Sequence, residues 1–285
     1  MKKEIEALSP ISHVLIRIMA GLFSVLGLVL FFAPDWAVTN FPWKISPFVA
    51  TTMGGWYLGS AFIAWDCARI WHWSRIFAEL VLLWLFSLFE MVVLILHREA
   101  LRFDTAMAWL YLLSTGVAAI TAVTGIVDFI RLRPILISEG TRVGLLMRMG
   151  LVIFIAAVLF ISVVPLMGIS VALNGKIIPD KLTLFTARSF GAFYLAIALS
   201  PLPLLWAKGM TPILQLERGG LALIIAILAA ALANLDKFDF ANRPGGLIYL
   251  GAYLTVFIVI LTTLVYFRKR TIADPTSPEP ASLIG

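Results

Sequence analysis

PWKISPFVATTMGGWYLGSA, residues 42–61, and PDKLTLFTARSFGAFYLAIA, residues 179–198, lie 137 residues apart and align without a gap. Pro42, Lys44, Phe48, Ala50, Gly54, Tyr57, Leu58 and Ala61 each meet an identical residue in the second stretch. Ile45 meets Leu182, Ser46 meets Thr183 and Trp56 meets Phe193, all close exchanges. A hydrophobic chain matches Leu or Ala by chance, but not Pro, Gly and Tyr in one register. Self-similarity at a fixed shift is the mark of a repeated structural unit. The chain therefore reads as two copies of one unit.

Weaker matches follow in the same order along both halves. LIRIMAG (15–21) lies over LMRMGLV (146–152), which pairs Arg17 with Arg148. Glu79 meets Glu217. Arg102-Phe103-Asp104 meets Lys237-Phe238-Asp239, and Trp109-Leu110-Tyr111-Leu112 meets Leu247-Ile248-Tyr249-Leu250.

Composition gives the class. The chain is 61% hydrophobic and 13% charged, with mean hydropathy +0.99. Soluble domains are about half apolar and about a quarter charged. A helix needs roughly 20 apolar residues to cross about 30 Å of hydrocarbon. Eight segments qualify, at 11–32, 48–68, 76–96, 107–129, 148–170, 185–206, 219–235 and 246–267. The seventh is short, and the sixth carries Pro201 and Pro203, which should kink or end it early and free carbonyls. The expectation is an all-α polytopic membrane protein of eight transmembrane helices. Residues 1–130 form the first four-helix repeat, 131–147 a cytoplasmic linker, 148–270 the second repeat and 271–285 a disordered tail. Four spans per half make both copies enter the membrane from one side. The repeats are then parallel, related by a pseudo-twofold axis along the membrane normal.

The chain has 22 Lys and Arg against 16 Asp and Glu. That excess does not point to nucleic acid, because it is divided between the two ends of the spans. Thirteen of these cations fall on the side of the termini and eight on the other, with Arg17 set aside as intramembrane. The positive-inside rule then places both termini in the cytoplasm and the protein in the plasma or cytoplasmic membrane. The N-terminal MKKEIEALSP resembles a signal n-region, but its apolar run is too long and no cleavage site follows. The single cysteine, Cys67, excludes an internal disulfide and a multi-cysteine metal site.

Within the strongest match, Ala50, Gly54 and Tyr57 share one helix face with Leu58 and Ala61, as do Ala187, Gly191 and Tyr194 in the second copy. The Ala-xxx-Gly spacing lets two helix backbones approach closely. Each face is expected to bury against its own bundle or against the other copy at the axis. Tyr57 and Tyr194 fall near mid-membrane, where a phenol needs a hydrogen-bond partner.

Ionisable groups inside the bilayer are costly and mark function or structure. Arg17 and Glu79 recur as Arg148 and Glu217, which suggests a structural clamp in each half, with Asp66 joining the first. Glu90 and Arg188 have no charged counterpart, facing Leu228 and Thr51 in the alignment. They are expected to approach each other in the outer half of the membrane, as a lock or as the wall of a polar cavity. With Tyr57 and Tyr194 they form the candidate ligand site.

No residue set specifies a reaction. His13, His72 and His97 are too scattered in depth for haem or metal, and no nucleophile elbow, P-loop or HExxH is present. No catalytic residue, cofactor or metal is assigned. The expected function is a non-catalytic bundle that binds a small apolar or amphipathic ligand or serves as an accessory subunit. Its expected partners are the lipid bilayer, other membrane subunits or a homodimer partner, and not nucleic acid. The alternatives are a small transporter, or an intramembrane enzyme acting on a lipid or isoprenoid with Glu90 as acid.

Overall fold

The structure is a computed structural model that describes residues 7–137, 139–169, 180, 182–242 and 245–273, with side chains through Arg268. The described chain forms nine α-helices: α1 Pro10–Phe32, α2 Pro34–Asn40, α3 Pro47–Ile70, α4 Trp73–Leu96, α5 Ala106–Leu132, α6 Leu145–Leu166, α7 Leu184–Leu199, α8 Thr211–Ala233 and α9 Gly245–Ala273. A 3₁₀ segment, Leu202–Trp206, extends α7. Lys2, Lys3, Lys176, Lys181, Arg243 and the 274–285 tail lie outside the described residues.

Each helix starts where chemistry permits. Ser9, Ser46, Thr105 and Thr183 cap α1, α3, α5 and α7 with side-chain oxygens that accept backbone N–H groups. A free N-terminal N–H would otherwise have no partner in lipid. Pro10 and Pro47 occupy first-turn positions, where a missing N–H costs nothing. The caps Ser46 and Thr183 stand 137 residues apart, the shift of the sequence match.

Seven helical segments are long and apolar enough to cross a membrane. α3, at 24 residues, has the length but not the hydropathy, for a physical reason. It runs through the middle of the bundle, packed by α1, α2, α4 and α8, and buries Thr51, Thr52, Gly54, Gly55, Gly59, Ser60 and Asp66. A helix surrounded by helices needs small and hydrogen-bonding side chains rather than lipid-soluble ones.

The sixth segment ends early at its prolines as expected, and the boundary of the seventh is corrected. The seventh segment is not short: α8 begins at Thr211 and runs 23 residues. Its first turns carry Gln215, Glu217 and Arg218, which read as the membrane edge but lie in the helix. α7 stops at Leu199 after 16 residues, because Pro201 and Pro203 follow.

Helices pack in matched pairs. α1 lies on α3 and α6 on α7; α5 lies on α4 and α9 on α8; α3 meets α8 as α7 meets α4; and α4 meets α8. α1 and α5 also close on each other, whereas α6 and α9 have no contact of that extent. Gly54 abuts the α1 backbone, where an added Cβ would stand 2.6 Å from Phe31 N. Gly191 abuts Leu166 of α6 in the same manner, 2.8 Å from its N. The small face therefore packs within each half, against that half's first helix. A second small face went unread: Gly55 and Gly59, a GxxxG pair, press on Ala226 and Leu223 of α8.

Between the halves, Trp56 stacks on Phe193 with ring centroids 4.3 Å apart and planes 13° from parallel. These residues are partners in the sequence alignment. Nearby, Trp43 Nε1 donates to Thr186 Oγ1 at 3.1 Å and Ser46 Oγ donates to an Asp180 carboxylate oxygen.

Candidate functional site

Two buried polar clusters hold the ionisable groups. The first surrounds Glu90 on α4, which is 2% exposed. Its Oε1 accepts from Tyr111 Oη of α5 at 2.5 Å and from Ser189 Oγ of α7 at 2.9 Å, while Oε2 has no partner among the described residues. Tyr57 reaches the same cluster from α3, with its ring 6.1 Å from that of Tyr111 and 87° from parallel to it. Phe41, Trp43 and Phe86 close over these phenols. Three helices, α4, α5 and α7, are thus pinned at one carboxyl group.

The expected Glu90–Arg188 pairing does not form. Ser189, the next residue, faces Glu90, and Arg188 turns outward to His97 Nε2 at 3.2 Å. Adjacent positions on a helix differ by about 100° around its axis, so Ser189 and Arg188 cannot share one face. Burial and then the Arg188 guanidinium hold His97 below the usual histidine range, and Phe185 stacks on its ring.

The second-half counterpart of Tyr57 is Tyr194, whose hydroxyl lies 2.7 Å from that of Tyr253. Tyr249, the counterpart of Tyr111, sits beside them with its ring 4.9 Å from that of Tyr253, and its buried hydroxyl has no hydrogen-bond partner among the described residues. Thr52 and Ser189 are alignment partners, but Ser189 donates across to Glu90 whereas Thr52 donates within its own helix to Phe48 O at 2.9 Å.

The second cluster joins the other end of α3 and α4 to α8. Gln215 Nε2 donates to Asp66 Oδ2 at 2.6 Å and to Glu79 Oε2 at 3.0 Å, so one amide bridges two carboxyl groups. Cys67 Sγ donates to Glu79 at 3.4 Å. Arg69 and Arg218 reach Asp66 Oδ1 at 3.1 and 3.4 Å. Gly219 abuts Glu79, where a Cβ would lie 2.5 Å from Oε1.

The clamps therefore differ from expectation. Glu79 and Asp66 do come together, but Arg17 is exposed and joins neither. The buried stripe of α1 is Ile16, Met19, Ala20, Phe23 and Leu26, and position 17 lies off it. Arg148 does not meet Glu217 either. Its guanidinium donates to Leu205 O and, at 3.0 Å, to Ala207 O, carbonyls at the end of the 3₁₀ segment that follows α7. Glu217 Oε2 is buried with no partner among the described residues.

Sequence reasoning missed Tyr111, Ser189, Gln215 and Arg218. Tyr111 stands in a repeat match with Tyr249, and Ser189 aligns with Thr52, so both were findable by asking which polar residues recur. Gln215 and Arg218 have no such signal. Among the described residues no three His, Cys, Asp or Glu side chains group as metal ligands. No known protein family, curated protein or solved structure matches this chain.

Proposed function

We propose that this is a non-catalytic, eight-span protein of the cytoplasmic membrane, built as two parallel four-helix repeats with both termini in the cytoplasm. It acts by binding an amphipathic ligand or a neighbouring membrane subunit on its outer surfaces, not by chemistry or transport through its interior. The observation that carries this reading is the engagement of Glu90. A carboxyl group serving a substrate must face an accessible site, and this one is 2% exposed and bound by donors from two other helices. The stacking of Trp56 on its own alignment partner Phe193 supports the repeat, since equivalent residues touch only where they flank the symmetry axis. The matched helix contacts, α3 on α8 as α7 on α4, support it independently. α3 counts as the eighth span because its 24 residues reach about 36 Å at 1.5 Å each.

Glu90→Leu tests the non-catalytic reading. It leaves Tyr111 and Ser189 without their acceptor, which costs about 1–3 kcal/mol for each buried donor. The expected outcome is a lower melting temperature in detergent with the same copurifying lipids and proteins. A variant that melts like the wild type but loses a bound molecule would return Glu90 to a binding or catalytic role.

A further inference from the structure

The linker between α5 and α6 is docked onto the broken end of α7. Val143 N donates to Lys208 O at 3.1 Å and Met210 N to Thr141 O at 2.9 Å, and Arg142 and Gly209 form an antiparallel bridge. At Gly209 only a glycine fits, because a Cβ would stand 2.0 Å from Glu139 O. On the other side Arg148 fastens the start of α6 to Leu205 and Ala207. These three pieces frame a cleft of about 600 Å³ lined by Gly140, Arg142, Arg148, Trp206 and Lys208.

Three of its five lining residues are cations, and none pairs with a carboxylate among the described residues. α6 begins at the cleft with Gly144 as its N-cap and no side chain on its first N–H groups. Uncapped N–H groups at a helix start carry partial positive charge and favour an anion. Beside the charges the surface turns apolar. Trp206 is 74% exposed, Leu145 74% and Leu146 83%. An exposed indole next to a basic rim and leucines is the arrangement that settles at headgroup depth.

We infer that this cleft binds the phosphate of an anionic phospholipid, with Arg142, Lys208 and the α6 N-terminus on the phosphate and Trp206, Leu145 and Leu146 against the acyl chains. Free phosphate would satisfy the cations but would leave the indole and the leucines unused. The inference goes beyond the function proposed above and holds whether or not the bundle is catalytic. Juxtamembrane cations attract anionic lipid by about 1 kcal/mol each, so loss of two should weaken the preference about thirtyfold.

The test is native mass spectrometry of the full chain from nanodiscs of mixed phosphatidylglycerol and phosphatidylcholine. It compares the wild type, Arg142→Gln/Lys208→Gln, and the opposite-end control Lys44→Gln/Arg98→Gln. Arg142 and Lys208 are both exposed and their side chains make no hydrogen bond to described residues, so the double variant keeps the fold. The expected result is preferential retention of phosphatidylglycerol by the wild type and the control, and an about thirtyfold smaller preference in the Arg142/Lys208 variant. Millimolar inorganic phosphate should leave the bound lipid in place. Equal retention of the two lipids, an unchanged preference in the variant, or an equal loss in the control would overturn the site. Displacement of the lipid by inorganic phosphate would overturn its assignment to a lipid.

Discussion

Buried carboxyl groups in this protein are held mainly by neutral donors. Glu90 takes two hydroxyls, and Glu79 takes an amide and a thiol. Among the described buried carboxyl groups only Asp66 forms ion pairs, and its cations are partly exposed. Removing one member of a buried charged pair costs about 3–5 kcal/mol, but Arg218 is 37% exposed and water screens its contribution. Arg218→Gln should therefore cost about 1 kcal/mol, and Arg17→Gln should stay within about 0.5 kcal/mol of wild type. Chemical denaturation in detergent micelles compares the two; a larger loss for Arg17→Gln would restore the clamp that its repeat match suggests. The charged residues themselves were legible, because charge in an apolar run is conspicuous. Their partners were not. Depth along a helix can be counted from sequence, but the direction a side chain takes around the axis depends on which neighbour the helix meets.

At the scale of helices the reading was close. Starts at Pro10, Pro47, Ala106, Leu184 and Gly245 fall within a residue of expectation, because long apolar runs ending at Ser, Thr or Pro leave little choice. α2 was missed, being only seven residues of mixed polarity, and α8 was read short because buried charges imitate a membrane edge. Helix contact turns on residues without side chains. Gly54→Ala would push a Cβ to 2.6 Å from the α1 backbone, and overpacking of that kind costs about 1–3 kcal/mol. Gly116, in α5, has nothing within 4 Å of its added Cβ, so Gly116→Ala should be neutral or stabilise by up to about 1 kcal/mol. Thermal melts of the two variants should thus move in opposite directions or differ by several degrees. Equal losses would mean that α1 and α3 do not cross at Gly54.

Across the whole molecule, the proposed twofold is approximate in an informative way. α3 and α7 begin with equivalent caps, and α3 meets α8 as α7 meets α4. The departures concentrate in the second half, where α7 ends early, Arg148 binds carbonyls at the end of the 3₁₀ segment beyond it, and α6 and α9 do not close as α1 and α5 do. The proposed repeat is suggested by sequence because the identities at Gly and Tyr fall at packing contacts, while the lateral arrangement appears only when aligned residues are seen to touch. The central claim is that both copies run the same way through the membrane and that α3 crosses it. Labelling of single cysteines in intact cells with an impermeant maleimide tests this directly, using Lys44→Cys, Glu99→Cys, Lys237→Cys and Arg133→Cys, each combined with Cys67→Ala. Lys44, Glu99 and Lys237 should react from outside, and Arg133 only after the membrane is permeabilised. Reaction of Glu99 and Lys237 from opposite sides would mean inverted repeats, and Lys44 and Glu99 on opposite sides would mean that α3 does not span.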